Sequence, residues 1–165
     1  MNEEILQLVS DRRAAAQSAS DLFGHVAEKL AALLPSGSII EHVGATAIAD
    51  CETKGDLDIA VRVNSQDFDT ADCALAAVYS RNPGSIRTDA FSAFEDADSD
   101  PHLGVQLVVV GSQFDVFHLF RDRLAANPAL VVQYNALKRQ WQNRPMEDYR
   151  RAKAAFVERV IAPSS

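Results

Sequence analysis

Asp56 and Asp58 stand either side of Leu57 at the head of the segment Asp-Leu-Asp-Ile-Ala-Val-Arg-Val. Side chains alternate along a strand, so both acids point to one face with their Cα atoms about 7 Å apart. Carboxylate oxygens from both can reach one or two shared cations. Oxygen-only ligation of this kind suits Mg²⁺ or Mn²⁺, with water and substrate phosphates completing the shell. Like charges this close repel each other, and a cation relieves that cost. The intervening positions Leu57, Ile59, Val61 and Val63 are apolar and anchor the strand in a core. The competing reading is a solvated strand end, where Asp-x-Asp is common.

A second group lies just upstream. Gly44-Ala45-Thr46 follows the apolar run Ser38–Val43, and ten residues separate Ala45 from Asp56. Glycine lets a backbone approach a ligand closely, and a turn of small residues with free N–H groups can receive a phosphate. A phosphate turn followed by two strand carboxylates is a kit for phosphoryl or nucleotidyl transfer: the turn holds the triphosphate and the acids hold the metal that neutralises it. Basic residues that could complete an anion site are Lys54, Arg121, Lys138 and Lys153. Tyr134–Lys138 and Tyr149–Lys153 are both i, i+4 pairs, so each shares a helix face. The alternative for each cation is solvation or pairing with Asp122, Glu147 or Asp148. His42 is either a ligand or a core histidine on a backbone carbonyl, and Trp141 reads as packing.

These residues need elements to position them. Residues 2–34 read as one or two helices, with Ser20 a candidate cap, stopped by Pro35-Ser36-Gly37. The patterns at 38–44, 57–63 and 103–110 predict three strands of one sheet. Residues 65–80 predict a helix capped by Ser65, 81–85 a turn, and 91–101 an acidic irregular loop. From Phe114 to Ile161 the chain reads as helical, broken near Asn127-Pro128 and near 143–145, with Pro128 and Pro145 both suited to first turns. The sum is one α/β (α+β) domain over 1–165: helices at 1–34, a small mixed sheet of three to five strands, and helices at 114–161.

Composition bounds the function. The chain has 165 residues, 47% hydrophobic and 24% charged, in the ordinary range for a globular protein with a sizeable core. No apolar run approaches the roughly 20 residues that span a membrane, and the acidic amphipathic N-terminus does not read as a signal peptide. Cys51 and Cys73 have neither metal nor disulfide spacing and predict reduced thiols in a cytoplasmic protein. A net charge of -7 argues against extended nucleic-acid binding but leaves room for a small anion in a local basic cluster.

The stretch Glu-His-Val-Gly-Ala-Thr-Ala-Ile-Ala-Asp-Cys-Glu-Thr-Lys-Gly-Asp-Leu-Asp-Ile-Ala-Val, from Glu41 to Val61, resembles the nucleotidyltransferase superfamily in general. It resembles the GrpB-like family within it in particular, whose signature reads roughly EHIGSTAVPGLAAKPIIDILV. The segments around Phe120-Arg121-Asp122, Tyr134–Lys138 and Tyr149–Lys153 are similar to that family's C-terminal helices. The resemblance covers most of residues 38–161 and implies a nucleotidyltransferase-like fold, with small sheet and helix-rich C-terminus. Three departures bear on chemistry. Ala45 stands where the family has Ser, leaving Thr46 as the turn's hydroxyl. Ala49-Asp50 replaces Pro-Gly. Gly55-Asp56 replaces Pro-Ile, so this chain carries both acids where many relatives carry the one at Asp58.

Active members of the superfamily place a third carboxylate on a neighbouring strand. Here the polar residue within the 103–111 strand segment is Gln106, which can accept a hydrogen bond but cannot carry the charge or act as a base. Asp115 or an acid between 95 and 100 could substitute. Two expectations follow from the resemblance. The first is a metal-dependent nucleotidyltransferase that moves a nucleoside monophosphate from a nucleoside triphosphate to a small acceptor. It uses Asp56 and Asp58 for the metal and Gly44, Ala45, Thr46, Lys54, Arg121, Lys138 and Lys153 for the nucleotide. The second is a nucleotide-binding or regulatory module that keeps the fold without turnover.

Overall fold

The segments 57–63 and 103–109 put Val, Ile or Leu at nearly every second position, and those side chains need a dry layer. In the computed structural model, which describes residues 3–163, they are the two central strands. The elements in chain order are α1 (Arg12–Leu33), β1 (Ile39–Val43), β2 (Leu57–Val63), α2 (Phe68–Ala76), β3 (Ser80–Arg81), β4 (Phe91–Asp96), β5 (Leu103–Val109), α3 (Phe117–Ala126), α4 (Pro128–Trp141) and α5 (Met146–Ile161). The strands form one mixed sheet in the order β1-β2-β5-β4-β3. β2 and β5 are parallel, and the other neighbours are antiparallel. The three strands expected from the sequence are adjacent in it.

Alternation sorts the sheet into two faces. Leu57, Ile59, Val61, Val63, Leu103, Val105, Leu107 and Phe94 share one, packed with Ala19, Val26 and Leu30 of α1 and Ala71 and Leu75 of α2. Each such side chain contributes roughly 1.5–3 kcal/mol on burial, and this layer is what holds β2 in place. The opposite face carries Asp58, Gly104, Gln106 and Glu95, and the C-terminal helices lie beside it. A second cluster there joins Phe120 and Leu124 of α3, Val131 and Tyr134 of α4 and Phe156 of α5 to Ile48 and Cys51 of the loop before β2.

The structure corrects five expectations. Residues 3–11 are not helical. They run extended across the α4–α5 connection: Leu6 N–H donates to Arg144 O, Met146 N–H to Glu4 O and Val9 N–H to Thr53 O, at 2.8–2.9 Å. So short a segment is a marginal helix, and burying Leu6 between Met146 and Tyr149 decides the matter. The cap of α1 is Asp11, whose side chain accepts from Ala14 N–H at 3.0 Å, while Ser20 lies exposed in mid-helix. Residues 91–96 form β4, not a loop: Phe91, Ser92, Ala93 and Phe94 are all buried because both faces are covered, which erases the alternation a sequence reading relies on. Ser65 opens a short 3₁₀ turn ahead of α2 and not α2 itself. Pro128 is at the first turn of α4 as expected, whereas Pro145 occupies the cap position of α5.

Candidate functional site

Antiparallel pairing sets Val43 opposite Asp58, and parallel pairing sets Asp58 opposite Gly104. The Asp58 carboxylate therefore projects between two strands that place glycine beside it. A Cβ built on Gly44 would lie 2.5 Å from Asp58 Oδ2, and one on Gly104 would lie 3.0 Å from Asp58 Oδ1. Gly44 also has φ 78°, a left-handed conformation that favours glycine. The turn that follows, Ala45–Ala47, is a single 3₁₀ turn. Thr46 is buried within it. Its hydroxyl donates to the backbone carbonyl of Asp56 at 2.9 Å and sits 2.9 Å from His42 Nε2. That hydroxyl ties the turn to the start of β2, so the turn and the two acids move as one piece.

Asp56 and Asp58 share the cavity face as their spacing requires, and both are half-buried. Lys54 Nζ lies 3.6 Å from Asp56 Oδ2 and 3.6 Å from Glu4 Oε1. His102, at the entry to β5, sits with Nδ1 3.9 Å from Asp56 and Nε2 3.3 Å from Glu95. Burial pushes the Asp58 carboxyl above its ordinary value, with Lys153 pulling against it and the charge of Asp56 adding to the rise. A cation at this place would relieve both burdens.

Three cavities meet at Asp58. The largest, about 820 Å³ and open, runs from Asp56 and Asp58 past His102, Glu95 and Arg150. A second, of about 200 Å³, places Lys54, Lys138 and Lys153 beside the two acids. A third, of about 170 Å³, lies between Gly44, Gln106 and the residues of α3 and α5. Of the residues expected at the site, Gly44, Ala45, Lys54, Asp56, Asp58, Lys138 and Lys153 line one or more of these spaces. Two do not reach them. Thr46 lies behind the turn. Arg121, on α3, donates to His42 O at 3.0 Å and pairs with Glu41 and Asp122 at 2.9 Å, which corrects its assignment to the nucleotide: it braces β1.

The lysines differ. Lys138 is buried, lies 4.1 Å from the Tyr134 ring centroid, and donates to the carbonyl of Glu52, with Cys51 Sγ at 3.7 Å. Burial lowers its pKa to about 8, against the opposing pull of Cys51. It anchors the loop that leads to Asp56. Lys153 is half-buried and has no ion-pair partner among the described residues, which leaves it the cation best placed for an anionic ligand.

Asp115 is not a third acid for the pair. It is held by Arg62 at 2.7 and 2.9 Å and by Gly111 N–H at 3.0 Å, beside a residue about 13 Å along β2 from Asp58. Burial alone would raise its pKa, but these bonds outweigh that and hold it low. Glu95, opposite Gly104 in the sheet, does face the same cavity. Glu95 is thus the acid of the 95–100 segment that comes nearest the pair; His102 has no motif in the sequence, and its place beside Glu95 follows from the pairing of β4 with β5. Among the described residues no three His, Cys, Asp or Glu side chains gather closely enough to hold a metal by themselves. Asp56 and Asp58 fit the two carboxylates that Mg²⁺ takes from protein when phosphates and water supply the rest.

A glycine turn bound to a strand with paired carboxylates, on a small mixed sheet flanked by helices, defines the class of this α/β protein. The family model described as GrpB protein matches residues 14–162, so the chain belongs to the GrpB family. A UPF0157 protein of Vibrio cholerae is 38% identical over 145 residues, covering 87% of this chain and 76% of that one. The crystal structure of the conserved protein GrpB from Enterococcus faecalis has the same fold, with TM-score 0.69 and 19% identity over 87% of this chain and 90% of that one. A structure of the Cid1 poly(U) polymerase with MgGTP bound matches more loosely: TM-score 0.47 and 11% identity, over 74% of this chain and 40% of that one. No described helix is long and apolar enough to cross a membrane.

Proposed function

We propose that this protein is a metal-dependent nucleotidyltransferase that moves a nucleoside monophosphate from a nucleoside triphosphate to a small acceptor. The observation that carries the reading is the setting of Asp58. Its carboxylate is wedged between two glycines, beside Asp56, where the three cavities meet. Asp56 and Asp58 would hold Mg²⁺ or Mn²⁺, which would supply charge neutralisation at the transferring phosphate. Lys153 and Lys54 would bind phosphate oxygens. Lys54 can leave Asp56 and Glu4 readily, since exposed ion pairs of this kind are worth about 1 kcal/mol or less. Gly44 and Ala45 would let the triphosphate approach the backbone. Lys138 would position the loop and not touch the ligand.

The test is release of pyrophosphate from each of the four common nucleoside triphosphates with Mg²⁺ and a mixture of small alcohols and amines. Release that disappears in Asp58→Asn supports the reading. A second reading is a nucleotide-binding module without turnover. It is favoured by Gln106 standing where a strand carboxylate would complete the metal site, and it predicts nucleotide binding with no pyrophosphate from any mixture.

A further inference from the structure

The 170 Å³ cavity is unlike the other two that reach Asp58. Its walls are Val43, Val116, Phe117, Phe120 and Val157, with the Tyr134 ring behind them. Phe120 and Tyr134 meet edge to face at 5.4 Å, so this wall is packed and does not depend on a loop. Three polar groups interrupt the lining: Asp58, Gln106 and Lys153. Gln106 Oε1 is buried and has no hydrogen-bond partner among the described residues. No protein donor among the described residues serves this oxygen, so a ligand that brings a donor can replace the water that otherwise satisfies it.

We propose that this chamber binds a small molecule made of an apolar body of about benzene size and a single hydroxyl or amino group, which donates to Gln106 Oε1 and faces Asp58. Size sets the body: an apolar cavity of roughly 150 Å³ accommodates benzene. The lining sets its chemistry, since five aliphatic and aromatic side chains offer a sugar or a nucleotide nothing to bond. Gln106 sets the donor, and the position of Asp58 sets its direction.

Resting on the nucleotidyltransferase reading, this ligand is the acceptor. Its oxygen or nitrogen forms the bond to the α-phosphorus and the bond to pyrophosphate breaks, the pyrophosphate keeping the electron pair. The acceptor's proton leaves to water in the large open cavity, which Gln106 and Asp58 also line. Lys54 and Lys138 line the 200 Å³ cavity and not the chamber, whereas Asp58 and Lys153 line both, so an acceptor in the chamber and a nucleotide beside the lysines meet at these two residues.

The test needs neither metal nor nucleotide. Benzyl alcohol is titrated into the labelled protein by NMR, with toluene as the probe that has the same body and no donor. The expected result is saturable shifts at the Gln106 side-chain amide and the Val43 and Val157 methyls, and binding of benzyl alcohol about tenfold tighter than of toluene. Gln106→Leu should bring the two probes to similar affinity, and Val157→Trp, which fills the chamber, should abolish both. Absence of saturable shifts at these residues up to the solubility limit overturns the proposal. So does equal affinity for the two probes in the native protein, whatever the variants do. Because no triphosphate is present, this outcome is independent of whether pyrophosphate is ever released. A bound alcohol with no transfer would count against the enzyme reading and leave the chamber in place.

Discussion

Gly44 and Asp58 are positioned by each other. The glycine holds a left-handed backbone and its missing Cβ leaves the space that Asp58 Oδ2 occupies. Gly44→Ala should therefore lose both. Backbone strain of this sort costs about 1–3 kcal/mol, and the clash adds to it, so a fall in Tm of at least roughly 4 °C is expected by calorimetry. Gly37→Ala is the control: its φ of 88° brings the same strain, but nothing lies within 4 Å of the added Cβ. Gly44→Ala should melt below it and should also weaken any metal or nucleotide binding that Gly37→Ala leaves intact. Asp58 makes a second prediction, through pH. Its carboxyl is raised by burial, so the folded state favours the protonated form, and that contribution is lost as pH rises through the raised value. Asp58→Asn removes the loss. Without metal the variant should melt above the native protein at pH 8, with the gap closing below about pH 4. A variant that melts lower at pH 8 would mean that the Asp58 charge stabilises the fold.

The elements show why the sequence was readable in some places and not in others. β2 and β5 were legible because one face of each is apolar at alternate positions, β1 was legible as a short segment ending at Gly44, and the pair Asp56 and Asp58 was legible because alternation by itself puts both on one face. The breaks at Asn127-Pro128 and 143–145 were legible from turn residues. β4 was hidden because Phe91 to Phe94 are buried on both faces and acids follow directly. The N-terminal strap was hidden because its backbone partners, Arg144 and Thr53, are distant in sequence. Lys138 was found but its use was not: i, i+4 spacing with Tyr134 places it on a face, and only packing shows that Glu52 O already holds it. That use is testable. Burial lowers the Lys138 pKa to about 8 in the folded chain, below its unfolded value, so the unfolded state binds the extra proton between pH 8 and 10. Native stability should rise on the order of 2 kcal/mol over that interval relative to Lys138→Met, measured by urea unfolding. A parallel pH course for the two proteins would place the Lys138 ammonium in water.

At the scale of the molecule, a net charge of -7 surrounds a site where Lys54, Lys138 and Lys153 stand together next to two carboxylates. Such a field repels a long phosphate backbone and admits a short anion that arrives with its own cation. α1 and α2 on one face of the sheet, with the C-terminal helices beside the other, keep β2 rigid, and a rigid strand holds two like charges at a fixed separation. The central claim is that these acids bind a metal together with a nucleotide. It is tested most directly by calorimetric titration of ATP, GTP, CTP and UTP, each with Mg²⁺, into the native protein and into Asp58→Asn. At least one triphosphate should bind the native protein, more tightly with Mg²⁺ than with EDTA, and should lose about tenfold or more in affinity in the variant. Unchanged affinity in Asp58→Asn with Mg²⁺ present, or no binding of any of the four, would contradict it.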